Sequence, residues 1–86
     1  RMSTKIHHTA IVAPEAQLGR DVEVGPFAII GDNVLVGDNT RIEARCEIGV
    51  AHGTLTPGML TIGADSVIRS GIRIPPSATG SPPATR

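Results

Sequence analysis

Aliphatic side chains return every sixth residue: Ile6, Val12, Leu18, Val24, Ile30, Val36, Ile42 and Ile48, then again Ile62, Ile68 and Ile74. Four positions after each stands a mostly small residue: Ala10, Ala16, Val22, Ala28, Val34, Thr40, Cys46, Ser66 and Ala78, with Ile72 the large exception. Glycine often follows the aliphatic directly (Gly19, Gly25, Gly31, Gly37, Gly49, Gly63), and Asp or Asp-Asn often comes next, as in Asp32-Asn33 and Asp38-Asn39. A fixed internal period marks a repeat architecture. A period of six suits neither an α-helix nor a long hairpin strand. It suits one side of a triangular parallel β-coil, each side a short strand plus a corner. Strand side chains alternate with period two, so the small residue and the next aliphatic both point inward. Gly, Asn and Asp then turn the corner, where φ > 0 is expected and a Cβ is costly. A stack of antiparallel hairpins with Gly-Asp-Asn turns leaves the unbroken spacing unexplained.

Three sides of six make an 18-residue turn, so eleven units give about three and two-thirds coils, ~18 Å tall at the strand spacing of a sheet. The residue before each aliphatic faces outward. One side then shows Ile11, Ile29, Glu47 and Arg73, a second Gln17, Leu35 and Thr61, and a third Glu23, Arg41 and Val67. Between Ile48 and Ile62 the beat breaks, and eight extra residues bulge out within 50–59 before Leu60-Thr61-Ile62 returns as a strand. The expected organisation is an N-terminal extension over 1–5, a β-coil over 6–78 and a Pro-rich tail over 79–86. Arg1 before Met2 reads as a cloning remnant.

This pattern resembles the hexapeptide-repeat acyltransferases, whose repeat is an aliphatic, a Gly/Ala/Glu/Asp, two free positions, a small residue and one more free position. The resemblance covers about Ile6 to Ala78. Within that family it is nearest to the N-terminal coils of the acyl-carrier-protein-dependent UDP-N-acetylglucosamine O-acyltransferases of lipid A synthesis. The segments that carry it are Ile6-His7-His8-Thr9-Ala10, Val24-Gly25-Pro26-Phe27 and Ile62-Gly63-Ala64-Asp65-Ser66-Val67-Ile68-Arg69, with His8 where that group usually has proline. The resemblance implies an all-β, left-handed parallel β-helix, a homotrimer or other homo-oligomer, and an inserted loop that reaches toward a neighbouring subunit.

Eight basic and eight acidic residues cancel, which leaves no electrostatic footprint for nucleic acid. No apolar run approaches the ~20 residues of a spanning helix and no signal peptide is evident, so a cytoplasmic location is expected. The single cysteine, Cys46, allows no internal disulfide. Its repeat position makes it a small core residue. So short a coil buries little against the entropy of ordering it, and repeat units need neighbours and protected ends. Oligomerisation is the expected remedy, with stacked Ile11 and Ile29 as a contact.

His52 is the loop's only histidine, with an intrinsic affinity for protons suited to general-base work. The competing reading is a solvated or interfacial loop residue, because no nucleophile or acidic orienter stands nearby in sequence. Arg69 is the candidate for a sugar phosphate, against a corner arginine paired with Asp65 or with solvent. Adjacent His7 and His8 would point to opposite sides of a strand and would not chelate one metal, so no metal site is expected.

In the resembling enzymes the general-base histidine lies several coils further on. Here Ile74 gives way to Pro-Pro-Ser-Ala-Thr-Gly-Ser-Pro-Pro-Ala-Thr-Arg. Proline lacks the N–H of a strand ladder, and such polar ends tend to disorder. The tail is either a cap on the ladder edge or the trace of a truncation or frameshift. Two classes of function follow. One is acyl or acetyl transfer to a (nucleotide-)sugar hydroxyl or amine, from an acyl-ACP or CoA thioester, without a tightly bound cofactor and with an incomplete active site. The other is a noncatalytic trimeric β-helix serving as an assembly or binding module.

Overall fold

The computed structural model describes residues 3–53 and 57–77. Over these, eleven strands of two or three residues alternate with corners and stack into three parallel sheets. The first side holds β1 (Lys5–Ile6), β4 (Glu23–Val24), β7 (Arg41–Ile42) and β10 (Val67–Ile68). The second holds β2 (Ile11–Val12), β5 (Ile29–Ile30), β8 (Glu47–Ile48) and β11 (Arg73–Ile74), and the third β3 (Gln17–Leu18), β6 (Val34–Val36) and β9 (Leu60–Ile62). This is the triangular parallel β-coil that the repeat predicts, and it agrees with the left-handed parallel β-helix that the resemblance implies.

The register reproduces the expected columns. Ile11 pairs with Ile29, Ile29 with Glu47, and Glu47 with Arg73. Gln17 pairs with Leu35 and Leu35 with Thr61. Lys5, Glu23, Arg41 and Val67 line the first side. Across the insertion β6 meets β9 in the same register as β3 meets β6, so the eight extra residues leave the ladder undisturbed.

Burial concentrates in the middle coils. Val22, Val24, Ala28, Ile30, Val34, Val36, Thr40, Ile42, Cys46 and Ile48 are buried, whereas Ile6 at the first coil is 47% exposed and Ile72 at the last 44%. The end coils lack one neighbour each, as in any stacked repeat. Cys46 occupies its expected inward place, and its thiol donates to the Arg69 carbonyl at 3.0 Å.

The corners differ from expectation in one respect. The glycines directly after the aliphatics do not supply the positive φ, except Gly49. It falls two residues later, on Asp21, Phe27, Asn33, Asn39, Arg45, Asp65 and Gly71. What those earlier positions require is close approach to the next coil. A Cβ on Gly37 would lie 2.5 Å from the Ala64 nitrogen and 2.8 Å from its Cα.

Three edges join the sides. The first runs through residues 7–10, 25–28, 43–46 and 69–72, the second through 13–16 and 31–33 to the insertion, and the third through 19–22, 37–40 and 63–66. The tail over 79–86, with Ala78, lies outside the described residues, as does the loop tip over 54–56. Of the stretch after β11, Ser77 is described, and its carbonyl accepts the Gly58 N–H at 3.1 Å in an antiparallel bridge.

Candidate functional site

The insertion leaves the coil at Gly49, whose φ of 65° turns the chain outward. A side chain there would also run into Val34. The returning limb is tied down by Asn33, whose Nδ2 donates to the Pro57 carbonyl at 2.7 Å and whose carbonyl accepts the Leu60 N–H at 2.8 Å. The loop's base is therefore fixed on the coil.

This arrangement brings His52 over the second side. Its Nε2 lies 3.2 Å from Glu47 Oε2, while Glu47 Oε1 faces Arg73 Nε at 3.3 Å. His52 thus has the acidic partner that seemed missing. Part of the signal was available: the repeat puts Glu47 outward on β8, five residues before His52, but the direction in which the loop's first limb folds is not in the repeat. Arg73, as the register partner of Glu47, holds the carboxylate from the other side. A histidine that donates one ring N–H to a carboxylate presents the other nitrogen as a base.

Next to this trio the face turns apolar. Ile29 is the register partner of Glu47, and Ile11 of Ile29. With Ala13, Val50, Ala51 and Pro57 they border a groove of about 330 Å³, and Ile11 is 62% exposed.

His7 and His8 do not point to opposite sides. They lie in the first edge rather than within a strand, and their rings stack with centroids 4.5 Å apart. Thr9 holds His7: the Thr9 N–H donates to His7 Nδ1 at 3.2 Å, and the Thr9 hydroxyl stands 2.8 Å from the same nitrogen. That hydroxyl oxygen accepts the Phe27 N–H at 3.0 Å, so its own proton is free to point at His7. Among the described residues no three His, Cys, Asp or Glu side chains gather as metal ligands.

Arg69 sits on the first edge of the last coil, and among the described residues no hydrogen bond or ion pair joins it to His52. Asp65 lies on the third edge, where its Oδ1 accepts Asn39 Nδ2 at 2.9 Å, and among the described residues it forms no ion pair with Arg69. On the third edge, Asp38 is held below its ordinary carboxylate value. The main cause is the Arg20 backbone N–H, which donates to Oδ1 at 2.8 Å, with the Arg20 guanidinium adding to it.

A triangular coil of parallel hexads with one loop standing off it is the architecture of the hexapeptide-repeat β-helices. The chain is 35% identical over 81 residues, 94% of its length, to the acyl-(acyl-carrier-protein)–UDP-N-acetylglucosamine O-acyltransferase of Rickettsia typhi, of which it covers 26%. It is 34% identical to the protein of the same description from Saccharophagus degradans, over 83% of this chain and 36% of that protein. With the counterpart from Thermodesulfovibrio yellowstonii it shares 47% identity over 51 residues, 52% of this chain and 20% of that protein. Over the stretch it spans, the chain belongs to the hexapeptide-repeat acyltransferase family. It spans between 20% and 36% of the length of these three relatives. No family model and no solved structure matches it.

Proposed function

We propose that this chain is a coil-and-loop unit of an acyltransferase that moves an acyl group from an acyl-ACP or CoA thioester to a hydroxyl or amine of a nucleotide sugar. His52 is its general base, Arg69 contacts the sugar nucleotide's phosphate, and the unit works as a cytoplasmic homotrimer. One observation carries the reading: His52 is oriented by Glu47, itself held by Arg73. The relatives, named as acyl-(acyl-carrier-protein)–UDP-N-acetylglucosamine O-acyltransferases, support acyl-ACP as a donor and a sugar-nucleotide hydroxyl as the acceptor.

In this mechanism Nε2–H donates to Glu47 and Nδ1 takes the proton from the acceptor hydroxyl. The acceptor oxygen forms a bond to the thioester carbonyl carbon, giving a tetrahedral oxyanion. Its collapse breaks the C–S bond, and the departing thiolate takes the proton back from His52. Glu47 stabilises the imidazolium in between, as a carboxylate does behind any histidine base. The donor arrives from solution and leaves as free thiol or carrier protein, so no resident cofactor takes part.

The test is thiol release from acyl-ACP and from acetyl-CoA with UDP-N-acetylglucosamine as acceptor. His52→Ala is expected to lower the rate by about 10²-fold or more, the scale of a lost general base, and Glu47→Gln by less. A rate unchanged in His52→Ala removes the reading. A second reading, the noncatalytic trimeric module, is favoured by the exposed Ile11 beside Ile29. It is upheld if the wild-type chain is trimeric by light scattering and releases no thiol with either donor.

A further inference from the structure

The residues at the positive-φ corner positions fall into two sets. On the third edge they are Asp21, Asn39 and Asp65, and on the second Asn33. Short side chains that bond their own backbone tolerate the left-handed region, which explains these choices. On the first edge the same position holds Phe27 at φ 59°, Arg45 at φ 60° and, on the last coil, Gly71 at φ 77°. Local preference favours the glycine but disfavours Phe27 and Arg45, and a local rule broken without a folding gain points to function.

The two are stacked neighbours. The Arg45 N–H donates to the Pro26 carbonyl at 2.9 Å, and its guanidinium carbon lies 5.6 Å from the centroid of the Phe27 ring. Phe27 is the chain's only Phe, Trp or Tyr, yet it is 58% exposed. Beneath it on the same edge lie the stacked rings of His7 and His8. Above it, the Gly71 N–H donates to the Ala44 carbonyl at 2.9 Å, which seats the turn carrying Arg69 directly on the turn carrying Arg45. The nearby carboxylate is already engaged: Glu43 Oε1 accepts the Ser70 N–H at 3.1 Å, and Oε2 faces Arg41 at 3.8 Å. Among the described residues neither Arg45 nor Arg69 forms an ion pair.

We infer that this first edge is a binding site for a nucleoside diphosphate, with the base stacked on Phe27 and the phosphates met by Arg45 and Arg69. An exposed ring offers a π-face to any base, and guanidinium groups are suited to phosphate. The inference deepens the acyl-transfer reading by giving its sugar nucleotide a place, and adds Phe27 and Arg45 to Arg69 as contacts.

Calorimetric titration of the full chain with UDP, uridine and pyrophosphate tests it, because asparagine suits a φ near +60° better than Phe or Arg. Phe27→Asn and Arg45→Asn are each expected to keep or raise the melting temperature while weakening UDP about tenfold or more. Gln17→Ala, on another side, should leave UDP affinity unchanged. Phe27→Gly, equally at home at that φ, takes the place of the Asn variant if the latter fails to fold. Absent UDP binding, an affinity unchanged in the Phe27 variant, or pyrophosphate binding as tight as UDP would each overturn the inference. Thiol release is read separately. Turnover with Phe27-independent UDP binding sinks this inference alone, and Phe27-dependent binding without turnover sinks the acyl-transfer reading alone.

Discussion

Thr4 and Thr40 make the same pair of hydrogen bonds at different levels of one inward column. The Thr4 hydroxyl donates to the Gly19 carbonyl at 2.8 Å and accepts the Val22 N–H at 3.3 Å. The Thr40 hydroxyl donates to the Gly63 carbonyl at 2.8 Å and accepts the Ser66 N–H at 3.2 Å. A hydroxyl in this column fastens each of these coils to the one above, and Thr40 is the one polar residue fully inside the coil among the described residues.

Thr40→Val keeps the shape of the side chain and removes the fastening. The Ser66 hydroxyl still serves the Gly63 carbonyl, so the loss falls on the Ser66 N–H. A buried donor left without a partner costs about 1–3 kcal/mol. Urea denaturation should show an unfolding free energy lowered by that amount, seen as a lower midpoint with an unchanged m-value, and an unaltered midpoint would mean the hydroxyl contributes nothing.

Gly37 and Gly63 follow aliphatics at successive levels of the same edge but should respond oppositely to alanine. At Gly37 the added Cβ meets the Ala64 backbone at 2.5 Å, whereas at Gly63 the nearest atom is Ser66 Oγ at 3.9 Å. Gly37→Ala must push two coils apart and should destabilise by about 1–3 kcal/mol, as overpacking does. Gly63→Ala should be neutral or better. Paired thermal melts decide the matter, and equal behaviour of the two variants would contradict the steric account.

Core truncation should reveal the gradient along the coil. Ile42 is fully buried and Ile6 is 47% exposed. Ile42→Ala is expected to cost about 2–5 kcal/mol and Ile6→Ala clearly less. Comparable losses at the two sites in chemical denaturation would show that the first coil is covered in solution.

Asp38 sets an acid limb. Its folded-state pKa is below the ordinary 3.8, because the Arg20 N–H and guanidinium favour the carboxylate. The stabilisation is therefore complete above that ordinary value and is lost as pH falls through the lowered folded-state one. Asp38→Asn should flatten the decline of stability below about pH 4, where unfolded carboxylates take up protons. An acid limb of unchanged steepness in melts from pH 5 to pH 2 would argue against this assignment.

Much of the fold was legible because the coil is a counting device. Ile30 and Ile48 fall into register for the same reason that they recur in sequence, and the outward columns follow from adding 18, or 26 across the insertion. The reason for glycine was less legible. From sequence, Gly37 and Asn39 look like equal partners in a turn, and only the approach of Ala64 separates their roles. The histidines were harder still. Adjacency says nothing about stacking when His7 and His8 lie in a corner rather than a strand. The link from Glu47 to His52 depends on which way the first limb of the loop folds, and a repeat pattern carries no information about a segment that leaves the repeat.

That last point has a practical side. β6 and β9 meet as though the eight extra residues between Ile48 and Ile62 did not exist. The insertion behaves as a cassette plugged into a frame that does not register its contents. His52 rides on the cassette, Glu47 and Arg73 on the frame. New chemistry could therefore be tried by exchanging the loop sequence alone, with the frame's carboxylate waiting at a fixed address for whatever side chain arrives.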